Sequence, residues 1–470
     1  MKCKVLFASL LMMFAWAQSS VQAAEKPNVL FIAVDDLNDW IGALGKRPDV
    51  KTPNMDRLAS RGVLFTKAYC AGPACNPSRA ALMSGKRPST TGVYHNDQPW
   101  RPVMKDTVTL SQHFMQNGYR VEGGGKIFHN AYNDLASWEK WTKNPGFPEP
   151  KKRALEGTGH FDWGMVDATD DQMGDTKVVD WGISFLKEKQ DKPFFLAVGM
   201  IKPHLPFYAP KKYFDMYPID KVKTPKVQAD DLADVPPAGV KMAKPQGDHK
   251  KVVEAKEWEH AVQSYLACIT YTDAQIGRLI DALDASPYAK NTIIVLWSDH
   301  GWHLGEKEHW RKFALWEEAT RVVFMAVVPG MTKAKQECAR TVNLLDIYPT
   351  MIDLCGLPKR DGIEGNSLVP LLKDPKAKWE HPSITTHGRN NHAVRTERWR
   401  YIRYEDGSEE LYDHDADPLE WKNLASDAKF ASVKAELIKS LPAVNAPDAP
   451  KEKAAKDDED DRPKKKKKGA

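Results

Sequence analysis

Four continuous apolar segments constrain the fold of this chain more than any other feature of its sequence. They read NVLFIAV (28–34), PFFLAVG (193–199), TIIVLWS (292–298) and VFMAVVPG (323–330). A strand with one solvated face alternates apolar and polar residues, whereas a strand buried on both faces of a parallel sheet is apolar throughout. Segments of helical pattern alternate with these runs, at 53–61, 107–117 and 260–284. We therefore expect an α/β fold in which helices cover both faces of a large, mostly parallel sheet.

The pattern of apolar and polar residues changes past about residue 380. Short strand-like segments and an Asp-Gly turn at 406–407 replace the long apolar runs, which predicts a small antiparallel sheet. We accordingly expect a large α/β domain over 24–378 and a smaller C-terminal α+β subdomain over 379–444. The Pro- and Lys-rich stretch 202–250 is interpreted as surface loops.

The N-terminus carries the pattern of a secretory signal peptide. Lys2 and Lys4 precede an apolar run from Val5 to Trp16, and small residues follow it. The alternative interpretation, a membrane anchor, needs about 20 apolar residues, and this run is shorter. We expect residues 1–23 to be cleaved and the mature protein to be periplasmic or secreted, without stable membrane insertion.

The net charge argues against a nucleic-acid partner. Of the formal charge of +5, the signal contributes two and residues 451–470 contribute three, so residues 24–450 are neutral. A nucleic-acid-binding domain carries a basic footprint on its folded part. Residues 445–470 are charged and of low complexity, so we expect a disordered tail. Weak attachment of that tail to a polyanion is the alternative to simple solvation.

Cysteine usage leaves an odd number of thiols in the exported chain. Cys3 leaves with the signal, and five cysteines remain. In an oxidising compartment at least one of them must lie outside any intramolecular disulfide. The sequence does not decide how four of these cysteines pair: Cys70, Cys268, Cys338 and Cys355. It does not decide the oligomeric state either.

Acidic residues and a histidine follow the two clearest strands. Asp35 and Asp36 come directly after the first, and Asp299 and His300 directly after the third. Ligands of open parallel sheets bind outside the carboxyl ends of the strands. A single Asp there could simply start a turn, but two such pairs favour a metal site. Three carboxylates suit Ca²⁺ or Mg²⁺, while the imidazole leaves Zn²⁺ or Mn²⁺ open.

The segment that begins at Cys75 reads CNPSRAALMSGKRP and is typical of a short helix. Pro77 suits the first turn, Asn76 the cap and Gly85 the position just past the end. Cys75 would then immediately precede the helix and face its N–H groups, a location that binds anions and activates nucleophiles. Arg79 lies one turn further and can return to the same point. This arrangement favours a chemical role for Cys75 over a structural disulfide.

The same segment resembles the signature of type I sulfatases, Cys-x-Pro-Ser-Arg followed by Leu-x-x-Gly. Ser84 stands where that family usually has Thr, and Met83 follows the Leu. Further motifs stand in the family's order: FIAVDDLNDW, TPNMDRLASRGVLFTKAYC, GKIFH, KPHLPF and SDHGWHLGEKEHWRK. The closest resemblance is to the iduronate-2-sulfatase-like branch of this alkaline phosphatase superfamily. In that branch His fills the metal position that many sulfatases fill with Asn.

The resemblance implies a fold, a cofactor and a reaction. The fold is the sulfatase fold, with the catalytic domain over 24–378. One Ca²⁺ would be bound by Asp35, Asp36, Asp299, His300 and the residue at 75. A formylglycine-generating maturation enzyme would convert Cys75 to an aldehyde, whose hydrate attacks the sulfur with one hydroxyl and expels sulfate through the other. The remaining roles follow by the same matching: Arg79, Lys126 and His129 hold the hydrate, while Lys202, His204 and Lys312 contact the sulfate, with His204 as general acid.

The substrate implied is a sulfated mono-, oligo- or polysaccharide. The sequence indicates the residues that bind the sugar less clearly than it indicates the catalytic residues. Candidates for contact with the sugar are the segment VYHNDQPWR (93–101), Trp302, His303, His309 and Trp310, with Arg101 for an acidic sugar. Core packing is the alternative explanation for the aromatic residues. Three rival functions stay open: a phosphonate or phosphate monoester hydrolase, a choline-sulfatase-like enzyme, and a catalytically silent glycan-binding relative.

Overall fold

The first apolar run, Asn28–Val34, forms an interior strand of a nine-stranded sheet. The structure is a computed structural model that describes residues 26–452. The predicted signal peptide and the chain beyond 452 lie outside the described residues. Strand β1 pairs in parallel with Phe194–Met200 on one side and Thr292–Ser298 on the other. The predicted α/β architecture is confirmed, because three of the four apolar runs form its centre.

The strands are named in chain order. They are β1 Asn28–Val34, β2 Val63–Tyr69, β3 Arg120–Gly125, β4 Lys140–Thr142, β5 Trp163–Val166, β6 Phe194–Met200, β7 Phe207–Pro210, β8 Thr292–Ser298, β9 His303–Leu304, β10 Trp310–Arg311, β11 Arg321–Val322, β12 Phe324–Val327, β13 Gln336–Asn343, β14 Ser383–Thr386, β15 His392–Arg395, β16 Trp399–Arg403 and β17 Glu409–Asp413. The main sheet has the order β11-β2-β12-β8-β1-β6-β3-β4, and β13 pairs with β2. Two two-stranded pairs, β5–β7 and β9–β10, lie outside it.

The α-helices are also named in chain order. They are α1 Pro53–Ala59, α2 Cys75–Ser84, α3 Pro88–Thr91, α4 Leu110–Gln116, α5 Gly174–Lys187, α6 Lys211–Phe214, α7 Pro237–Ala243, α8 Asp248–Ala255, α9 Trp258–Asp284, α10 Glu317–Thr320, α11 Ile347–Cys355, α12 Val369–Lys373 and α13 Ala431–Ile438. Short 3₁₀ turns join several of them. The helical patterns noted in the sequence correspond to α1, α4 and α9.

Both faces of the sheet are buried, which explains why its strands are apolar throughout. Alternate residues of β1 enter two different cores: Leu30 and Ile32 on one face, Val29 and Phe31 on the other. Helices α1, α5 and α9 supply the first core, and α2, α4, α11 and α12 the second. Because period-two alternation places successive side chains on opposite faces, each strand needs an apolar residue at every position.

The fourth apolar run departs from the expected parallel arrangement. It forms β12, which pairs antiparallel with both β8 and β2. An apolar run reports that a strand is buried on both faces, but nothing in that pattern reports the direction of the chain. The sheet is therefore mostly parallel with an antiparallel insertion.

Residues 202–250 are more structured than the sequence interpretation suggests. They contain β7, α6, α7 and α8, and Phe207 and Ala209 are fully buried. The prolines and lysines of this stretch flank elements that are each eight residues or shorter, which is why no periodic pattern is visible.

The predicted C-terminal sheet is confirmed as an antiparallel meander, β14-β15-β16-β17, and Gly407 takes the left-handed conformation (φ 85°) in its last hairpin. A buried ion network joins it to α10. Glu317 pairs with Arg395 at 3.2 Å and also with Arg400, which in turn pairs with Glu420. Although burial opposes its ionisation, Arg400 and His414 lower the pKa of Glu420 to about 2.

The beginning of the predicted disordered tail is ordered in the structure. The backbone N–H groups of Ala446, Ala449 and Glu452 donate to carbonyls of the segment 89–97 at 2.8 to 2.9 Å. Gly92 permits this approach, since a Cβ there would lie 2.1 Å from the Pro447 carbonyl oxygen. We call residues 445–452 the C-terminal strap. The strap has small and polar side chains, so its sequence shows no apolar pattern. Its contacts are mostly made by the backbone, which no sequence pattern reveals.

Two further sequence predictions concern membranes and thiols. Among the described residues, no helix has the length and apolarity that a bilayer span requires. The five cysteines that lie within residues 26–452 are all buried, and none of them forms a disulfide with another.

We expect the strap, and not the residues after it, to contribute to stability. Removing 453–470 should leave the unfolding temperature unchanged, whereas removing 445–470 should lower it by about 5 °C, because several buried hydrogen bonds at roughly 1 kcal/mol each are lost. Differential scanning calorimetry of the two truncated proteins measures this. Equal unfolding temperatures would show that the strap packs without stabilising the fold.

Candidate active site

The four predicted metal ligands converge at the carboxyl ends of β1 and β8. These strands are neighbours in register, with Val34 opposite Ser298, so the residues that follow them meet at one edge of the sheet. Ligand atoms of Asp35, Asp36, Cys75, Asp299 and His300 all lie within 4.8 Å of one another, and all five residues are fully buried. The residues that follow β1 and β8 lie together as expected, because adjacent parallel strands end at the same edge, and their role as metal ligands stays a prediction.

The donor set fits a hard divalent cation. Nδ1 of His300 lies 2.9 Å from the Gly301 carbonyl oxygen, so in the neutral ring Nδ1 carries the proton and Nε2 presents its lone pair. That lone pair faces Asp36 Oδ1 at 3.2 Å and Asp299 Oδ2 at 3.4 Å. Burial lowers the pKa of His300, which favours this neutral form. A neutral nitrogen among buried carboxylates repels them unless a cation lies between, and three carboxylates with one imidazole suit such an ion.

Fixed cations already offset part of the carboxylate charge. Burial opposes ionisation of Asp35, but Lys126 and Arg79 outweigh it and hold the pKa of Asp35 well below its usual range. Lys126 Nζ lies 2.5 Å from Asp35 Oδ2. Asp36 differs: burial and the charge of Asp35 raise its pKa despite Lys312. The fixed cations therefore do not fully compensate the charge of Asp36, and such a cluster of buried carboxylates suits a bound cation.

Arg79 organises the metal ligands rather than contacting Cys75 directly. Its guanidinium donates to Asp299 Oδ2 and to Asp35 Oδ1, each at 2.8 Å, and to the carbonyl of Lys126 at 2.5 Å. It is fully buried over the Trp297 ring. The guanidinium fork thus joins the ends of β1, β3 and β8, so the predicted role in holding the hydrate is indirect.

Cys75 is the first residue of α2, with Ala74 as the N-cap. The predicted cap, Asn76, instead donates from its side chain to the carbonyls of His95 at 3.0 Å and Gln98 at 2.7 Å. Asn76 cannot cap here because the cap, Ala74, lies two residues earlier than expected and Asn76 is already inside the helix. Its backbone N–H, one of the unpaired donors of the first turn, is satisfied by Asn96 Oδ1 at 2.9 Å.

Two lysines and a histidine surround the sulfur of Cys75. Lys312 Nζ lies 2.9 Å from Sγ, Lys126 Nζ 3.7 Å and His300 Nε2 3.4 Å. Burial nonetheless raises the pKa of the Cys75 thiol, and Asp35 adds to this effect. A thiol with a raised pKa carries little thiolate at neutral pH, so Cys75 in its thiol form is a poor nucleophile.

Glycine allows β3 to deliver Lys126 to the site. Gly125 has φ 77°, and a Cβ at this position would lie 1.8 Å from the Gly199 carbonyl oxygen of β6. No other residue fits so close to the neighbouring strand. His129, three residues on, is 1% exposed and packs 5.8 Å from the Tyr132 ring.

The segment KPHLPF turns at the end of β6 and carries His204. Its ring Nδ1 lies 2.6 Å from the Leu205 carbonyl, and Nε2 lies 3.7 Å from Asp36 Oδ2. Lys202 is buried within the turn and donates to the carbonyls of His204 at 3.0 Å and Pro206 at 2.5 Å. Its ammonium thus holds the shape of the turn, so the predicted contact of Lys202 with sulfate gives way to a structural role.

Lys312 lies in a strained loop that follows β10. Four non-glycine residues between 305 and 313 have φ from 48° to 76°: Lys307, Glu308, Arg311 and Phe313. Such conformations cost about 1 kcal/mol or more each and persist only where surrounding contacts fix them. His309 provides one such contact, since its ring nitrogens lie 2.7 Å from the Ala243 carbonyl and 2.6 Å from the Lys312 carbonyl.

Several residues that position the site gave no signal in the sequence. Tyr265 of α9 donates to the Asp36 carbonyl at 2.7 Å, and its oxygen accepts from the Asn38 N–H at 2.9 Å. Asp175 of α5 accepts from the backbone of Ile201 and Lys202 at 2.9 and 2.8 Å, which anchors the KPHLPF turn. Both lie in helices that read as ordinary core segments, and only the long-range contact reveals their role.

Most of the aromatic candidates for sugar contact belong to the core. Trp302 packs against Phe207, and Trp310 against Trp163. Arg101 pairs with Asp134. Core packing, the alternative explanation, is the right one for these residues. The segment 93–101 does reach the site, through His95, Asn96 and Gln98.

Comparisons with known proteins agree with this geometry. The profile of the family described as Sulfatase matches residues 27–357, and that described as N-sulphoglucosamine sulphohydrolase, C-terminal, matches 305–446. A protein of Formosa agariphila named Sulfatase is 44% identical over 90% of this chain and 87% of its own. Iduronate 2-sulfatase of Homo sapiens is 32% identical over 73% of this chain and 68% of its own. A solved structure titled as a 2-O GAG sulfatase has a TM-score of 0.70 at 25% identity, over 88% of this chain and 91% of its own.

Calcium should stabilise the protein through the carboxylate cluster. Adding Ca²⁺ to chelator-treated protein, at about a hundred times its dissociation constant, should stabilise the fold by roughly 3 kcal/mol. Asp36→Asn should reduce this stabilisation, because it removes a negative charge from the cluster while keeping the size of the side chain. The exposed variant Asp361→Asn is the matched control and should respond as the wild type does. Calorimetry that finds the same calcium response in Asp36→Asn would contradict the assignment.

Proposed function

This chain belongs to the sulfatase family and is a sulfuric ester hydrolase of sulfated carbohydrates, and we propose that its substrate is a 2-O-sulfated uronic acid. The observation that carries the chemistry is the position of Cys75 between Lys312 and the buried metal-ligand cluster. The uronate assignment rests on likeness to iduronate 2-sulfatase and to the 2-O GAG sulfatase structure.

We propose further that Cys75 acts as formylglycine. As an aldehyde hydrate it supplies one hydroxyl that attacks the sulfur and a second whose deprotonation expels sulfate. The surroundings suit two hydroxyls better than one thiol, because they combine the donors Lys126 and Lys312 with the acceptors Asp36 and His300 around one atom. A thiol with a raised pKa uses few of these partners.

One Ca²⁺ is proposed at the cluster of Asp35, Asp36, Asp299 and His300. When bound, it offsets the charge of the ester and of the developing oxyanion. The protein contributes fixed cations to the same end. Lys126 and Lys312 are buried, which by itself lowers the pKa of an ammonium group. The neighbouring carboxylates outweigh this effect and raise the pKa of each lysine above its usual range: Asp35 acts on Lys126, and Asp36 acts on Lys312. Both therefore stay charged and are oriented before the substrate arrives, which is the arrangement that stabilises a transition state.

His204 is proposed to protonate the leaving oxygen. Burial, together with the charges of Lys126 and Lys312, holds the pKa of His204 well below its usual range in the protein without substrate. An anionic ester opposes those two lysine charges and raises that pKa, so the imidazole gains its proton when substrate binds. Its Nδ1 hydrogen bond to Leu205 leaves Nε2 to face the site.

Export and maturation complete the proposal. The order of charged, apolar and small residues in 1–23 supports a cleaved signal and a periplasmic or secreted location. A formylglycine-generating enzyme is the implied partner, and it must act before the fold buries Cys75, since that residue is fully buried in the structure.

Matured protein should release sulfate from a 2-O-sulfated uronate faster than from sugars sulfated at other positions. Cys75→Ala should abolish this activity, whereas Cys70→Ala should retain it, because Cys70 is buried apart from the metal ligands. Sulfate release across a panel of defined saccharides measures both. Mass analysis of the peptide that contains Cys75 shows the maturation as loss of sulfur and two hydrogens and gain of one oxygen.

Three results would each remove part of the proposal. A thiol as the sole form at position 75 in active protein would remove the formylglycine assignment. Faster turnover of an aryl phosphate or phosphonate than of the matching aryl sulfate would identify a phosphoester hydrolase. Equal rates for all sulfated sugars would overturn the uronate substrate while leaving the sulfatase activity in place.

Replacing His204 should affect poor leaving groups most. His204→Ala should lower kcat/KM for a sugar sulfate by about a hundredfold or more. A nitrophenyl sulfate, whose leaving oxygen needs no proton, should lose less than about tenfold. The exposed His381→Ala serves as the control and should change neither value. Equal losses for the two substrates in His204→Ala would show that the ring positions the ester rather than protonating it.

A further inference from the structure

A second group of basic side chains lies beside Cys75, outside the residues assigned above. His387 directly follows β14, where the Thr386 N–H donates to the Ala71 carbonyl at 2.9 Å. The N–H of Phe313 donates to Pro73 at 3.0 Å, and its ring lies 5.9 Å from that of His387. Ala71 and Pro73 lie four and two residues before Cys75, so these contacts bring His387 to the segment that leads into Cys75.

His387 carries a buried polar atom that lacks a protein partner. The residue is 6% exposed, and its Nδ1 makes no hydrogen bond to any residue within 26–452. Buried polar nitrogens are almost always paired in folded proteins, since leaving one unpaired costs about 1 kcal/mol or more. An unpaired nitrogen beside an active site therefore points to a ligand group.

His95 and Lys244 complete this group from two other segments. The ring of His95 lies edge-on to His387, with centroids 5.6 Å apart. Lys244 follows Ala243 in the chain. The ring of His309 contacts both the Ala243 carbonyl and the Lys312 carbonyl, so Lys244 lies one residue from a segment that is linked to Lys312. The segments 93–98 and 383–387 thus meet through the rings of His95 and His387, and burial, together with the positive charge of Lys244, lowers the pKa of both.

The electrostatic surroundings of these side chains favour an anion. Burial, followed by the charges of His95 and Lys244, holds the pKa of His387 well below its usual range. Burial and the charge of Arg311 lower the pKa of Lys244 to about 8. Burial is the larger cause of both shifts, and neighbouring positive charges add to it, so a bound anion would oppose those charges. The Asp448 carboxylate lies 4.0 Å from His95 Nε2 and accepts a hydrogen bond from Gln98 at 3.0 Å.

We propose that His387, Lys244 and His95 form a subsite for a second anionic substituent of the substrate, a carboxylate or a second sulfate on the sugar that carries the scissile ester. The proposal rests on the proposed function, because it locates the sugar beside the ester at Cys75. Lys244 supplies the charge, and the two imidazoles supply hydrogen bonds to the anion's oxygens. These residues bind the substrate without contacting the sulfur.

Matched substrate pairs test the subsite. One pair is a 2-O-sulfated uronate and its analogue with the carboxylate reduced to an alcohol. The other is glucosamine 2-N,6-O-disulfate and glucosamine 6-O-sulfate. The wild type should prefer the more anionic member of at least one pair by about tenfold or more in kcat/KM, and the pair that shows this preference identifies the anion.

Substitutions then assign the preference to these residues. His387→Ala and Lys244→Gln should each reduce it about tenfold while leaving kcat/KM for nitrophenyl sulfate within about twofold. Lys250→Gln, which removes an equal charge from neighbouring α8, should retain the preference. Unfolding temperatures equal to that of the wild type exclude a folding defect, and His387→Gln serves if His387→Ala is unstable.

Two outcomes would overturn the subsite. One is equal turnover within both pairs by the wild type. The other is a wild-type preference that survives in both His387→Ala and Lys244→Gln. Either result leaves the sulfatase proposal intact as long as the matured wild type hydrolyses nitrophenyl sulfate. Absence of that basal reaction would instead count against the proposed function itself.

Discussion

The structure depends on three carboxylates buried within one cluster. Asp35, Asp36 and Asp299 have no exposed surface, and burying an uncompensated charge costs several kcal/mol even after relaxation. Arg79, Lys126 and Lys312 offset part of that cost, and each comes from a different element. The positions of α2, the end of β3 and the loop after β10 are therefore tied to the ends of β1 and β8. The geometry that suits catalysis is also the geometry that makes the buried charges tolerable.

The sequence could predict the centre of this arrangement for a physical reason. Apolar runs identify strands buried on both faces, and adjacent parallel strands end at the same edge, so the residues after β1 and β8 had to meet. The bounds of both strands agree with the predicted runs, 28–34 and 292–298. Helix α2 was also visible, because Pro77 and Gly85 mark its two ends, and Gly85 takes the left-handed conformation expected of a residue just past a helix (φ 73°).

The rest depends on contacts between distant parts of the chain, which no local pattern encodes. The direction of β12 follows from its neighbours and not from its composition. From the sequence alone, Lys202 looks like a cation available to an anion, but its ammonium donates hydrogen bonds to the carbonyls of His204 and Pro206. Tyr265 supports Asp36 from a helix 229 positions away. The strap at 445–452 looked like tail because its hydrogen bonds come from the backbone, whose capacity to pair is the same in every sequence.

The C-terminal part of the chain reaches the site from two directions. As a result, the residues proposed to bind the sugar lie on different segments from the carboxylate cluster. Through β14 it holds residues 70–72, where Thr385 donates to the Cys70 carbonyl at 2.6 Å and Thr386 to Ala71. Through the strap it holds Gln98, which accepts from Asn76 one residue beyond Cys75. The carboxylate cluster lies at the edge of the large sheet, whereas His95 and His387 lie on or beside segments that the C-terminal part contacts. Changes in those segments can therefore alter which sugar is bound while the carboxylate cluster stays fixed, since no strand of the main sheet has to move.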